Sequence, residues 1–294
     1  MTIIIYTRDN DTTQFLKNEI LTTFLNEQID FVIFSELKML TNFLKTSIQR
    51  VDVLFFDIDF ALNSSNVIDA INKLNIIDYF VVVSKKMVDD YKKYLSIPVI
   101  YIPNSIEELP KTYSKLNTNN IISVGRLESV KGFDDLIDVL KIIILKNKNV
   151  TLNIVGDGSQ YKLLDNKIND LGLQNNIRLL GYKNSKELSE LYNQSSIYVM
   201  TSFSESFGLV LLEAQSHKLP CIAFDSANGA KELIHNGVDG YLICNRDKEK
   251  MANKILELIN DKNKCKQLGE KALENSKNYL SKNIKQKWVD IFEK

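Results

Sequence analysis

Apolar and polar positions follow two rhythms along this chain. Short apolar runs recur at Ile3–Tyr6, Phe31–Phe34, Val53–Phe56, Phe80–Val83 and Val99–Ile102. Between them lie amphipathic stretches of helical period, such as Thr13–Asn26 and Lys86–Tyr94. Strand, helix, strand at this spacing predicts a parallel sheet with helices on both faces. The polar stretch 104–119, which contains Pro110, then interrupts the pattern and reads as a linker.

A second alternating series follows. Its predicted strands are Ile121–Val124, Leu152–Val155, Ile177–Leu180, Ile197–Met200, Cys221–Phe224 and Tyr241–Ile243. They are almost wholly apolar, as parallel strands covered on both faces must be. From about Asp247 the chain is helical and charged, with the single tryptophan, Trp288, near its end. The predicted division is a short first domain over 1–105, a linker over 106–119, a second domain over 120–275 and a final helix over 276–294 that packs back toward the first domain. Both domains are expected to be doubly wound α/β units.

Composition narrows the class. The chain has 294 residues, enough for two cores, with 44% hydrophobic and 25% charged residues and a formal net charge of zero. Nucleic-acid binders carry a basic surplus, so no nucleic-acid partner is expected. Cys221, Cys244 and Cys265 show no Cys-x-x-Cys spacing and read as reduced thiols of a cytoplasmic protein. Two histidines, His217 and His235, are too few for a histidine metal site. The start, MTIIIYTRDND, reads as a strand rather than a leader, and no apolar run reaches the roughly 18 residues of a spanning helix. Lys85-Lys86 and Lys92-Lys93 offer charge to an anionic membrane surface or form a solvated helix face.

Every glycine lies beyond the linker stretch, beginning at Gly125. Doubly wound domains bind ligands at the carboxyl ends of their strands, where glycine lets backbone approach. In Val124–Gly132, VGRLESVKG, Arg126 and Lys131 fall between a strand and a helix. Two cations there suit a diphosphate, at about 1.5–3 kcal/mol per charge-assisted bond, or form an ordinary solvated loop. In residues 202–215, SFSESFGLVLLEAQ, a helix is expected to start near Ser206 or Phe207, with Leu209–Leu212 buried. Its free amides would face an anion, unobstructed at Gly208. Glu213 shares the face of Leu209. Left unpaired in a core, its carboxylate costs several kcal/mol. The hydroxyls of a ribose would satisfy it, and Glu205, nearer the phosphate end, would hold a second polyol. A capping role for Glu205 and a core ion pair for Glu213 are the alternatives.

These residues carry a resemblance. Arg126 and Lys131 in GRLESVKG, VGDGS at 155–159, LLGY at 179–182 and ESFGLVLLE at 205–213 resemble glycosyltransferase family 4 over roughly residues 78–245. The resemblance implies the GT-B fold, two doubly wound Rossmann-like domains facing a cleft. It implies a retaining, metal-independent hexosyltransferase without a cofactor, using a nucleotide diphosphate sugar, UDP-sugars foremost. The implied acceptor is a glycan or lipid-linked chain of surface polysaccharide synthesis, reached in the cytoplasm or at the inner membrane face. The family's pattern puts Arg126, Lys131, Gly208 and Leu209 on the donor diphosphate. It puts Glu205, Ser206 and Phe207 on the transferred sugar, Glu213 on the ribose and Tyr182 at the base. Glu205 is also the implied catalytic carboxylate.

The first domain departs from the pattern. Its loop TRDNDTTQ lacks glycine, and Asp57 stands where the family carries a histidine. Asp57 would orient a sugar hydroxyl or accept a proton, or else cap a helix. Asp57-Ile58-Asp59 matches the metal-binding Asp-x-Asp of another transferase fold only by its brevity. The shortened domain leaves a second reading open, a non-catalytic subunit that supports a partner transferase. A nucleotide-sugar epimerase of similar fold is a third.

Overall fold

In the computed structural model, residues 3–5, 31–34, 51–55 and 77–292 are described. The chain divides into two compact units, Met1–Ile102 and Pro103–Lys294. The first contains a parallel sheet of β1 (Ile3–Ile5), β2 (Phe31–Phe34), β3 (Val51–Phe55), β4 (Ile77–Val82) and β5 (Val99–Tyr101), arranged in chain order. Its registers include Ile3 opposite Phe31, Val53 opposite Tyr79 and Phe80 opposite Val99.

Helix α1 (Lys85–Tyr91) starts where the Ser84 hydroxyl accepts the Met87 amide at 3.4 Å. It buries Met87 and Tyr91, and the Tyr91 ring lies 4.7 Å from that of Phe80. Each such apolar side chain contributes about 2 kcal/mol. Lys86 and Lys93 both pair with Asp90, so part of the lysine charge on this helix is neutralised within it.

The second unit holds β6 (Asn120–Val124), β7 (Thr151–Val155), β8 (Ile177–Leu179), β9 (Ile197–Met200), β10 (Cys221–Phe224) and β11 (Gly240–Ile243). All pair in parallel, in the order β11-β10-β9-β6-β7-β8. The chain runs outward from β6 to β8, then returns to lay β9 on the other side of β6. That reversal is the switch point of a doubly wound sheet, where a crevice opens beyond the strand ends. The loops leaving Val124 and Met200 flank it.

Helices cover this sheet. Helix α2 (Phe133–Lys146) buries Phe133, Leu136, Ile137, Leu140 and Ile143. Helices α3 (Tyr161–Asp170) and α4 (Ser185–Asn193) follow β7 and β8. Helix α5 (Leu209–Ser216) follows β9, and α6 (Asn228–Leu233) follows β10. The chain ends in α7 (Lys248–Asn260), α8 (Lys262–Ser276) and α9 (Ser281–Phe292). Gly156, Asp157 and Gly158 form the turn between β7 and α3. A Cβ on Gly156, at φ +139°, would meet the Gly125 carbonyl at 1.9 Å.

The segment read from sequence as a linker is built into the second unit. Leu116 is buried, the Ser114 hydroxyl donates to the Ser195 carbonyl, and the Ser114 amide donates to the His217 carbonyl at 3.1 Å. Ile106 pairs with the chain before α9 through bonds of 3.0 Å to Tyr279 and 2.8 Å from Ser281. Polar composition reads as a linker, and several of its hydroxyls and amides find partners within the second unit.

An ion cluster ties α7 to α8. Glu257 accepts from Lys254 at 2.8 Å, from Lys264, and from the Tyr241 hydroxyl at 3.1 Å. The two ammonium groups, Lys254 foremost, hold its carboxyl down at about 2. A depressed carboxyl stabilises the fold above its unfolded value, and the contribution disappears as pH falls from 4.5 toward 2. Solvent screening keeps it modest. Urea unfolding of Glu257→Gln should show a loss of about 1 kcal/mol at pH 7 that closes as pH falls through that window.

Candidate functional site

The loop after β6 carries Arg126 and Lys131. Residues Ser129–Lys131 form a single 3-10 turn, and Gly132, at φ +65°, caps α2. Only glycine suits that corner, since an added Cβ would meet the Thr201 carbonyl at 2.2 Å. The turn thus lies hard against the loop after β9. The Thr201 hydroxyl donates to the Lys131 carbonyl at 3.3 Å, and the Phe203 amide donates to the Val130 carbonyl at 2.8 Å.

This contact brings together two residues 74 positions apart. The half-buried Lys131 ammonium donates to the half-buried Glu205 carboxylate. An ammonium has three N–H donors, so two remain for a ligand. Arg126 is exposed in the same loop. Nearby Glu128 is held below the usual carboxylate range by the hydroxyl and amide of Ser159, with a smaller contribution from Arg126.

Helix α5 begins at Leu209, later than the pattern of its side chains predicts. Gly208 adopts φ +86°, which a helix cannot continue through, and becomes the cap. Phe207 turns inward before the helix and packs at 5.8 Å on Tyr279. Leu209, expected in the core, is 41% exposed. The preceding loop is anchored by the Gly229 amide, which donates to the Glu205 carbonyl at 2.7 Å. Ser206 is half-buried beside it. The start of α5, whose first amides have no partner within the helix, adjoins Glu205: a Cβ on Gly208 would lie 3.4 Å from that side chain.

Glu213, one turn into α5, stands apart from the Lys131–Glu205 pair. Among the described residues no cation pairs with it. Its carboxylate accepts from the Tyr192 hydroxyl at 3.4 Å, a hydroxyl that also lies 3.1 Å from the Val210 carbonyl. Burial pushes the Glu213 carboxyl above its ordinary range, and the Tyr192 hydroxyl opposes this only in part. Glu213 lines a cavity of about 310 Å³, together with Tyr192, Ser189, Leu188 and His217 and, from the segment before β6, Glu108, Pro110 and Lys111. His217 caps α5, with its ring nitrogens 2.9 Å from the Glu213 carbonyl and 2.8 Å from the Ser189 hydroxyl. Burial lowers its pKa, which favours the neutral ring. A largely desolvated carboxylate that lines a cavity and makes no ion pair among the described residues is suited to a polyol that donates hydrogen bonds.

Tyr182 does not line this cavity and is 78% exposed. Ser189, Tyr192 and His217 do line it, and no sequence motif marked them. Asp57 lies outside the described residues. Asp134, Asp135 and Asp138 cluster on α2, but Lys167, Lys248 and Arg246 pair with them. Among the described residues, no helix is long and apolar enough to cross a membrane.

Residues 104–275 match the model of a protein family described as glycosyl transferases group 1. The chain is 32% identical over 201 residues to an uncharacterized glycosyltransferase of Haemophilus influenzae, covering 68% of this chain and 56% of that protein. It is 28% identical over 235 residues to the poly(ribitol-phosphate) alpha-N-acetylglucosaminyltransferase of Staphylococcus aureus, covering 79% of this chain and 47% of that protein. The chain thus spans about half the length of these relatives. The solved pneumococcal O-GlcNAc transferase GtfA, in complex with UDP and GlcNAc, superposes with a TM-score of 0.78 at 25% identity. That match covers 96% of this chain and 60% of that one.

Proposed function

The chain belongs to the glycosyl transferases group 1 family and has the GT-B fold, and from that premise we propose that it is a retaining transferase moving a sugar from a UDP-sugar to a glycan or lipid-linked acceptor. The observation that supports this best is the Lys131–Glu205 pair, where the loops after β6 and β9 meet at the switch point of the second unit. Glu213, further along the chain in α5, lines a separate cavity. Two of these similar proteins are by name transferases of N-acetylglucosamine, so UDP-N-acetylglucosamine is the first donor to test.

In this reading the nucleoside enters the cavity and its ribose hydroxyls donate to Glu213. The base then lies against Leu188 and Pro110 rather than on the outlying Tyr182 ring. The diphosphate meets Lys131, Arg126 and the first amides of α5, past Gly208. Glu205, Ser206 and the backbone of Phe207 border the sugar. The bond from the anomeric carbon to the diphosphate breaks and a glycosidic bond to the acceptor oxygen forms. The acceptor proton passes to the departing phosphate. Fixed cations and the helix terminus stabilise the departing charge, so turnover needs no metal. A hexose-type sugar, a role for Asp57 in orienting the acceptor, and delivery of the acceptor by a membrane surface or partner protein belong to the same proposal.

Calorimetry with UDP and GDP, followed by mass analysis of products from a UDP-sugar and acceptor panel, tests it. UDP is expected to bind in the micromolar-to-millimolar range, and chelators should leave turnover unchanged. If neither nucleotide binds in that range, the reading is overturned.

A further inference from the structure

The residue following Asn245 departs from ordinary backbone geometry. Asn245 and Arg246 adopt φ +57° and +51°, two successive left-handed residues that are not glycine. Such conformations persist only where the surroundings impose them, and they gather at functional sites. Here the imposing contacts belong to the Arg246 side chain. One guanidinium nitrogen donates to the Ser202 carbonyl at 3.1 Å and the Ser226 hydroxyl at 2.9 Å. Another donates to the Thr201 carbonyl at 2.8 Å and the Asp135 carboxylate at 2.6 Å. The group lies between the rings of Phe203, at 3.7 Å, and Phe224, at 4.5 Å.

These partners are the supports of the site. Thr201, Ser202 and Phe203 are the segment that leads from β9 to Glu205. Asp135 sits in the first turn of α2, directly behind Gly132 and Lys131. A Cβ on Gly132 would lie 3.1 Å from the guanidinium, so Arg246 is packed where the two loops touch. A planar fork presents donors on two edges in a fixed geometry, which the rotatable point charge of an ammonium does not reproduce.

We propose that Arg246 is a positioning residue for sugar transfer, holding the loops of Lys131 and Glu205 in fixed register without touching the donor. It rests on the reading of this crevice as the donor site. Its consequence is specific. Loss of the fork lets Glu205 and Lys131 drift relative to each other, while the cavity beside Glu213 is untouched. Turnover then falls far more than nucleotide affinity.

The test compares wild type, Arg246→Met and Arg246→Lys. Methionine retains apolar bulk between the two rings but donates no hydrogen bonds; lysine keeps the charge on Asp135. UDP titration gives affinity and the fraction of active sites. Release of UDP from UDP-N-acetylglucosamine gives kcat and KM. The expected result is near-unit UDP stoichiometry, UDP affinity lowered by about fivefold through the displaced Lys131, and kcat lowered about 30-fold in Arg246→Met. Arg246→Lys should fall between. A purely structural role would instead reduce stoichiometry and turnover together. Should Arg246→Met fail to fold, Arg246→Lys decides by the same split. Unchanged kcat in the folded variants overturns the inference while UDP still binds wild type. Absence of UDP binding in wild type, or of turnover with every UDP-sugar and acceptor of the panel, overturns the donor-site reading and this inference with it.

Discussion

Lys131→Ala is expected to weaken UDP binding by about 100-fold. One part is the loss of a charge-assisted contact to the diphosphate, about 1.5–3 kcal/mol, or roughly 10–150-fold. The other part follows from the ion pair. Lys131 neutralises Glu205, which is itself withdrawn from water. Without Lys131, that carboxylate faces the incoming diphosphate as an uncompensated like charge, adding about 1–2 kcal/mol of repulsion at an effective dielectric near 20. The double variant Lys131→Ala/Glu205→Gln should therefore regain about tenfold in UDP affinity over Lys131→Ala alone. This non-additivity is what a shared contact produces. Calorimetric titration of the two variants and wild type checks both effects. UDP affinity in Lys131→Ala within threefold of wild type would sink the assignment of the diphosphate to this loop.

Glu213→Gln should separate binding from stability. An ionised Glu213 accepting two ribose hydroxyls makes charge-assisted bonds that an amide replaces poorly, and UDP affinity should fall about 10–100-fold. Stability should move the other way or stay level. Burial raises the Glu213 carboxyl in the folded protein. A raised carboxyl subtracts stability once it ionises, from the unfolded value upward, and the subtraction vanishes when it is protonated. The amide removes that cost at pH 7 and still has Tyr192 as its neighbour. The same shift gives wild type a pH signature. UDP affinity should decline as pH drops through the raised carboxyl value, and Glu213→Gln should lose that dependence. A variant with lower melting temperature and unaltered UDP affinity would show Glu213 to be a structural residue.

Several elements could be read directly from residue order. The strands Phe31–Phe34, Ile197–Met200 and Cys221–Phe224 coincide with their apolar runs at both ends. A parallel strand covered on both faces must be continuously apolar, so its limits are written in composition. The start of α5 was not legible in this way. Ser206 and Phe207 continue a pattern compatible with helix, and only the left-handed Gly208 and the inward turn of Phe207 delay it to Leu209. The stretch before β6 looked polar because its hydroxyls carry no mark of the carbonyls they will meet. Tyr192 reads as an ordinary apolar position of an amphipathic helix, yet its hydroxyl reaches Glu213 from another element. Arg246 sits in a charged tail and resembles any surface cation until Phe203 and Phe224 enclose it.

Sequence by itself determined the alternation of strands and helices, the concentration of glycine in the second unit, and the identity of the residues in the two crevice loops. These follow from local period, backbone freedom and side-chain chemistry, which neighbours along the chain are enough to express. Tertiary structure alone decided that β9 returns beside β6, and so that Lys131 meets Glu205 across 74 positions. It also decided that Glu213 lines a cavity and makes no ion pair among the described residues, and that Arg246 joins the loops. Those outcomes depend on distances between segments far apart in the chain, which only the packed sheet and its covering helices set.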